Sequence, residues 1–231
     1  MRLDHYLRDR GYDRARTRQL IVQGRITVNG RTAEQAAMDC GAGDTVLVDG
    51  QAPGPAVRLT IMLNKPAGYV TATVSDTDAT VMDLLPAAYR DRGLFPVGRL
   101  DKASEGLLLL TNDGTLCQRI LRPETHLPKT YFIRVGRPFP ADTETRFRTG
   151  IVFPNGTPCR PAEITISTDR LTALVTITEG KTHQVRRMAA ACGVRVGELK
   201  RLSIGALALD PALAPGAVRE LTEDELALLN A

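Results

Sequence analysis

Tryptophan is absent from this sequence, and aromatic residues make up only 4% of it. That scarcity argues against a surface covered with the stacking platforms used by single-strand binders. Histidine is nearly as rare: His5, His126 and His183 are scattered, which speaks against a His-rich metal site. Cys40, Cys117, Cys159 and Cys192 lie far apart, with no C-x-x-C pair among them. Neither a disulfide framework nor a zinc knuckle is suggested, and reduced thiols in a cytoplasmic protein are expected. No apolar run approaches the roughly 18–20 residues that span a bilayer, so no membrane association is expected. The first ten residues are charged throughout and lack the apolar region of a signal peptide. A phosphate-cradling glycine loop is missing too, since Gly193-Val-Arg-Val-Gly197 is too sparse for a dinucleotide fingerprint.

What is present is ordinary in amount and uneven in placement. The 231 residues suit one large domain or two smaller ones, with enough chain to bury a core. Apolar residues at 43% and charged residues at 24% are typical of globular proteins. The net charge of +4 permits a nucleic-acid partner without establishing one. Residues 1–31 carry eight arginines against three aspartates, so the other 200 residues sum to −1. A second cluster at 181–201 holds six basic residues against Glu198. Either cluster alone reads as a solvated face, whereas two clusters beside motifs suggest a nucleic-acid track.

A seam divides the chain. Gly50-Gln-Ala-Pro-Gly-Pro-Ala56 has no apolar periodicity and reads as a short linker. The division expected is therefore 1–50 for an N-terminal domain, 51–58 for the linker and 59–231 for the remainder. In the first part, the spacing of Leu3, Tyr6 and Leu7 predicts a helix. Asp13 can cap a second helix that runs to about Gln23 and stops at Gly24. Arg14 and Arg18 then share one face of it. Arg25–Val28 alternates, Asn29-Gly30 signals a hairpin, and Thr45–Val48 reads as a further strand. The segment resembles the alpha-L, or S4-like, RNA-binding motif on the strength of Arg2-Leu-Asp4, Arg14 with Arg18, and Gly24–Gly30. That resemblance implies contacts to structured RNA, with Arg2, Arg14, Arg18 and Arg25 as the candidates, mainly through shape and phosphates.

Beyond the linker, strands read at 59–63, 107–111, 130–135, 162–167 and 171–178. Helices read at about 115–121, 142–149, 183–192 and 223–229. Strands and helices mix without a strict βαβ repeat, so the expected class is α+β with a mixed, mainly antiparallel sheet flanked by helices. Three segments concentrate the chemistry. Gly98–Gly114 places Asp101 in a loop ahead of an apolar strand, Lys129-Thr-Tyr131 opens another strand, and Glu179–Met188 leads a turn into a basic helix. Taken singly, Asp101 would be a turn residue, Tyr131 a core aromatic and the arginines a basic helix face.

Together the three segments resemble the pseudouridine synthases of the ribosomal small-subunit type, over nearly the whole chain. Leu199–Gly205 followed by Leu213-Ala-Pro-Gly216 adds to that likeness. The resemblance implies isomerisation of uridine in 16S rRNA, with rRNA in an assembling small subunit as partner; that reaction requires no cofactor or metal, and a monomer is expected because nothing in the sequence suggests a required dimer. It maps the catalytic roles onto Asp101, Tyr131 and Arg186. A carboxylate nucleophile divides one hard step into easier ones, and attack at C1′ of the ribose or C6 of the base both fit. A guanidinium keeps such a carboxylate ionised. A tyrosine can stack on uracil and, less readily at its ordinary pKa of about 10, help remove the C5 proton.

The target uridine must leave its stack, and Arg99 is placed to fill the gap or hold a phosphate. Lys181, His183 and Arg187 are further candidate RNA contacts, and Leu202 or Ile204 a candidate apolar wall. Three alternatives stand beside this reading. The first is a large-subunit rRNA target, and the second a non-catalytic ribosome-assembly factor. The third is a glycosidase that pairs Asp101 with Glu105, disfavoured by the few aromatics available to hold a sugar.

Overall fold

The computed structural model describes residues 1–229 apart from 42, 91 and 123–126. His126, one of the three scattered histidines, thus lies outside the described residues. The chain divides into two compact units. One comprises residues 1–60 with 85–95 and 111–113, and the other the intervening segments and everything from 114 onward.

The N-terminal unit carries α1 (Leu3–Arg8), α2 (Arg14–Val22), β1 (Ile26–Val28), β2 (Arg31–Thr32) and β3 (Val46–Val48). Asp13 caps α2 by accepting from the Arg16 N–H at 2.7 Å. Gly24 ends the turn beyond α2 at φ +66°, a backbone region that side chains resist. Asn29 and Gly30, both at positive φ, make the two-residue turn between β1 and β2. Strand order is β2-β1-β3, with both pairings antiparallel. Leu3, Leu7, Leu20, Ile26, Val28, Val46 and Val48 close the core beneath the helices. Arg14 and Arg18 stay on the exposed face of α2.

The start of the expected linker is differently built. Asp49 and Gly50 both adopt positive φ, and Val48 bridges to Gln51, which makes a second tight turn. The Asp-Gly pair signals such a turn, but the proline-rich residues that follow mask it. Further on, the Val57 N–H donates to Asp9 O (2.7 Å) and the Leu59 N–H to Asn112 Oδ1 (2.9 Å). Asn112 Nδ2 returns a bond to Val57 O at 2.9 Å. These bonds fasten the two ends of the segment, which groups with the N-terminal unit.

From there the chain runs through β4 (Thr60–Lys65), a 3-10 turn (Val81–Leu84), α3 (Ala87–Arg90), β5 (Phe95–Val97) and β6 (Glu105–Thr111). Next come α4 (Gly114–Leu121), β7 (Lys129–Val135), α5 (Thr143–Thr149), β8 (Glu163–Ile166) and β9 (Thr172–Ile177). The last elements are α6 (Gln184–Ala191), β10 (Val196–Ile204), β11 (Leu207–Ala208), β12 (Val218–Glu220) and α7 (Glu223–Leu228). The large sheet runs β12-β4-β6-β10-β7-β9-β8, with β11 paired to β10 and β5 to β6. β10 is parallel to β6 and antiparallel to β7, and β7–β9, β9–β8 and β4–β12 are antiparallel as well. This is the mixed, mainly antiparallel α+β arrangement that the strand and helix pattern predicts.

Helix α4 packs Leu116 and Ile120 against Met62, Leu107, Leu109, Ile204 and Leu207, which builds one core beneath the sheet. The nine-residue β10 is central to that sheet, yet no sequence pattern announces it. Lys200, Arg201 and Ser203 interrupt its apolar positions, and a bulge between Arg201 and Ser203 resets its alternation. Gly106 lets β6 approach it: a Cβ there would collide with the Arg201 carbonyl oxygen, and φ is +100°. Among the described residues no helix is long and apolar enough to cross a membrane.

Candidate active site

The C-terminal unit contains a cavity of about 600 Å³. Asp101 lines it from the turn just ahead of β6, a turn closed by the Ser104 N–H donating to Asp101 O at 3.0 Å. Buried lysine holds this turn in place. Lys65, at the end of β4, is wholly buried and donates to Pro66 O (2.9 Å), Asp101 O (3.2 Å) and Ser104 O (2.7 Å). Burial pushes the Lys65 ammonium down to about 8, while the carboxylates of Glu105 and Asp101 pull the other way. Thr71 clasps the preceding residue, donating to Leu100 O at 2.7 Å and accepting from its N–H at 3.2 Å. The Asp101 main chain is thereby fixed on both sides, and its side chain stays one-third exposed to the cavity.

The opposite wall is the loop leading into α6. Buried Glu179 organises it, accepting from the Arg160 N–H (2.9 Å), the Gln184 side-chain amide (2.6 Å) and the Lys181 ammonium. Burial alone would raise the Glu179 carboxyl, but these donors outweigh it and hold the group below the usual carboxylate range. Gln184 also accepts from the Lys181 N–H at 2.9 Å, which closes the loop on itself. His183 is thereby placed at positive φ (+52°) at the N-terminal end of α6. Its side chain does not cap the helix. Instead Nδ1 lies 3.0 Å from Asp101 Oδ2.

Arg186 approaches the same oxygen, Nε to Oδ2 at 3.9 Å. Its remaining nitrogens are anchored: Nη1 donates to Val196 O (3.0 Å) and Nη2 to Ala103 O (3.2 Å) and Ser104 Oγ (3.4 Å). One guanidinium therefore ties α6 to the Asp101 turn and to the start of β10. Both side chains address Oδ2, and no hydrogen bond from a described residue ends on Oδ1. Tyr131, on β7, is 7% exposed and lines the cavity beside Ile177, Leu199 and Ile204 from neighbouring strands. A carboxylate with one oxygen held and the other without such a bond, facing an apolar wall with an aromatic ring, is equipped for nucleophilic attack on a planar base.

The structure sorts the other candidates named from sequence. Arg99 is exposed and lines the cavity. Lys181 lines it while paired to Glu179. Arg187 turns away, stacking over the Phe153 ring at 3.7 Å and donating to Asn155 Oδ1 at 3.2 Å. Ile204 belongs to the wall and Leu202 does not, because Leu202 falls within the bulge of β10. In the N-terminal unit, Arg25 is in a bidentate pair with Asp49 (2.5 and 2.6 Å), and Arg2 pairs with Asp4 (2.8 Å). Arg14 and Arg18 are the exposed cations of this set without a carboxylate partner among the described residues. Arg201, counted from sequence in the second basic cluster, is 2% exposed and lines the cavity from β10.

Lys65, Glu179 and Gln184 are the residues that sequence reasoning passed over. Lys65 lies in Asn64-Lys65-Pro66, which reads as a turn after the strand at 59–63, and the other two lie within the basic motif.

Comparison with known proteins agrees with the geometry. A family model described as RNA pseudouridylate synthase matches residues 59–191, and one described as S4 domain matches residues 1–46. The chain is 42% identical to an uncharacterized RNA pseudouridine synthase, YtzG, of Bacillus subtilis, over 100% of this chain and 98% of that one. It is 40% identical to the ribosomal small subunit pseudouridine synthase A of Salmonella typhimurium, over 98% and 99%. A solved structure described as a pseudouridylate synthase superposes with a TM-score of 0.72 at 31% identity, covering 99% of both chains. The cavity of Asp101, His183, Arg186 and Tyr131 lies between β-strands and helices of a chain that belongs to the RNA pseudouridylate synthase family and carries an S4 domain at its N-terminal end.

Proposed function

We propose that this protein isomerises one uridine of small-subunit (16S) rRNA to pseudouridine, with Asp101 as the nucleophile. The observation that carries this reading is the Asp101 carboxylate, held through Oδ2 by His183 and Arg186, with no hydrogen bond from a described residue at Oδ1, at a cavity of about 600 Å³. The target uridine leaves its stack to enter that cavity. Oδ1 then attacks, at C1′ or at C6, the N1–C1′ bond breaks, the base turns, C5 bonds to C1′, and the bond from Oδ1 to the carbon it attacked breaks to give back the free carboxylate. Loss of the C5 proton and gain of one at N1 complete an isomerisation that consumes nothing else. Arg186 keeps the carboxylate aimed, and the Tyr131 ring lies against the base. Arg99 fills the place the uridine vacates or holds a phosphate, and Arg14 and Arg18 hold the phosphates of structured rRNA in an assembling small subunit. In this reading the protein is cytoplasmic and acts as a monomer.

The test uses small-subunit rRNA carrying tritium at C5 of uridine. The native protein should release tritium, and Asp101→Asn should abolish release while RNA binding persists. Undiminished release by Asp101→Asn would remove Asp101 from the reaction. Absence of release by the native protein on this RNA and on small-subunit particles would remove the proposed substrate.

A further inference from the structure

The cavity has a second charged region that the nucleophile does not use. Lys129 and Tyr131 stand two residues apart on β7 and so project from the same face of the sheet. Arg201 sits directly opposite Tyr131 on β10, and all three line the cavity. Both cations are buried, Lys129 at 8% exposure and Arg201 at 2%. Neither has a carboxylate partner among the described residues, and the charged neighbour that acts on Lys129 is Arg201, a like charge. Burial, with Arg201 adding to it, depresses the Lys129 ammonium to about 8.

Their donors are underused. Among the described residues, Lys129 Nζ, which carries three N–H groups, gives one bond, to Leu127 O at 3.0 Å. Arg201 Nε donates to Leu107 O at 2.7 Å, whereas its Nη2 is buried with no partner among the described residues. Two adjacent buried cations with spare donors are an expensive arrangement unless an anion or a carbonyl oxygen visits them.

We propose that Lys129 and Arg201 form the receptor for the carbonyl edge of the target uracil and stabilise the negative charge that develops on the base during the reaction. This rests on the pseudouridine synthase reading above and extends it to the base. When Asp101 Oδ1 bonds C1′, the N1–C1′ bonding pair passes to the base and spreads over N1, O2 and O4. Attack at C6 instead sends the C5–C6 π pair toward O4. Either route loads a uracil carbonyl oxygen with charge, and the pair returns to carbon when C5 bonds C1′. Donors already in place and shielded from water act at full strength on such charge. The ammonium and guanidinium lend no proton permanently, so the isomerisation stays balanced.

The experiment compares native protein with Lys129→Met and Lys129→Gln on two RNAs, one with uridine at the target and one with 5-fluorouridine. Fluorine makes the base more acidic, so its anion depends less on outside stabilisation. Single-turnover loss of the starting nucleoside is followed for both, with RNA affinity measured separately and folding checked by circular dichroism. On uridine, the Met variant should react about a hundredfold more slowly with unchanged RNA affinity, which is the scale of losing one such donor. On 5-fluorouridine, the loss should shrink to about tenfold or less. Equal losses on the two RNAs, or none on either, would overturn the proposal. If the Met variant fails to fold, the same comparison is read from Gln, which keeps a hydrogen-bond donor but no charge and should fall between native and the loss expected of Met. A Gln variant with native rates on both RNAs would also overturn it. Inactive native protein would instead count against the parent reading.

Discussion

Lys65 shows how much of the site depends on a single side chain that bonds the Asp101 turn through its main chain. Its ammonium is surrounded by main-chain carbonyls of the turn that presents Asp101. Replacing it with methionine keeps the volume and leaves those carbonyls short of a donor. Lys65→Met should therefore cost about 2 kcal/mol of stability, seen as a lower urea midpoint, and should also slow catalysis by misplacing Asp101. A variant with native midpoint and native rate would show that the turn holds itself. Lys65 was illegible in the sequence because a lysine next to a proline reads as a solvated turn. Its meaning depends on carbonyls about forty positions away in the chain. Asp101, Tyr131 and Arg186, by contrast, were legible because each lies in a motif whose residues are contiguous.

Elements were readable where local chemistry decides them. Asp13 caps α2 and Asn29-Gly30 turns β1 into β2, and both signals act within four residues. β10 was unreadable because its buried positions include Arg201 and its alternation slips at a bulge. What makes it a strand is pairing with β7 and β6, a tertiary cause.

The C-terminal helix offers a test at the same scale. Thr222 and Glu225 form a capping box on α7, and Arg219 of β12 grips Glu225 (2.6 and 2.8 Å) and Asp210 (2.6 Å). The Arg219 pairing, against the cost of burial, holds the Glu225 carboxyl down to about 2. A carboxyl depressed on folding contributes stability that is complete above its unfolded pKa, near 4.5, and fades as pH falls toward 2. Glu225→Gln should thus lower native stability at pH 7, and the gap between variant and native should close between pH 4.5 and 2. A gap that persists at pH 2 would contradict the pairing. Thr222→Ala should cost about 1 kcal/mol at neutral pH by thermal or urea unfolding.

For the whole molecule, the net charge of +4 conceals two basic clusters with different fates. In the N-terminal one, Arg2 and Arg25 are matched to aspartates, while Arg14 and Arg18, on an exposed helix face, have no carboxylate partner among the described residues. In the other, Arg186 and Arg201 are drawn into the cavity, and Lys181 is paired with Glu179. Composition thus located basic segments but could not separate charge offered to RNA from charge spent on the fold, since that depends on burial and pairing. Substituting both Arg14 and Arg18 by alanine should weaken rRNA binding and reduce the slope of log affinity against log salt by about 1–2, the share of two phosphate contacts. An unchanged slope would remove these arginines from the interface.

The proposed activity requires a nucleophilic Asp101 acting on small-subunit rRNA. The most direct measurement is a pseudouridine map of that rRNA from cells lacking this protein, and from the same cells given back the native chain or Asp101→Asn. One pseudouridine should vanish, return with the native chain and stay absent with Asp101→Asn. A map unchanged by loss of the protein, or restored by Asp101→Asn, would contradict it.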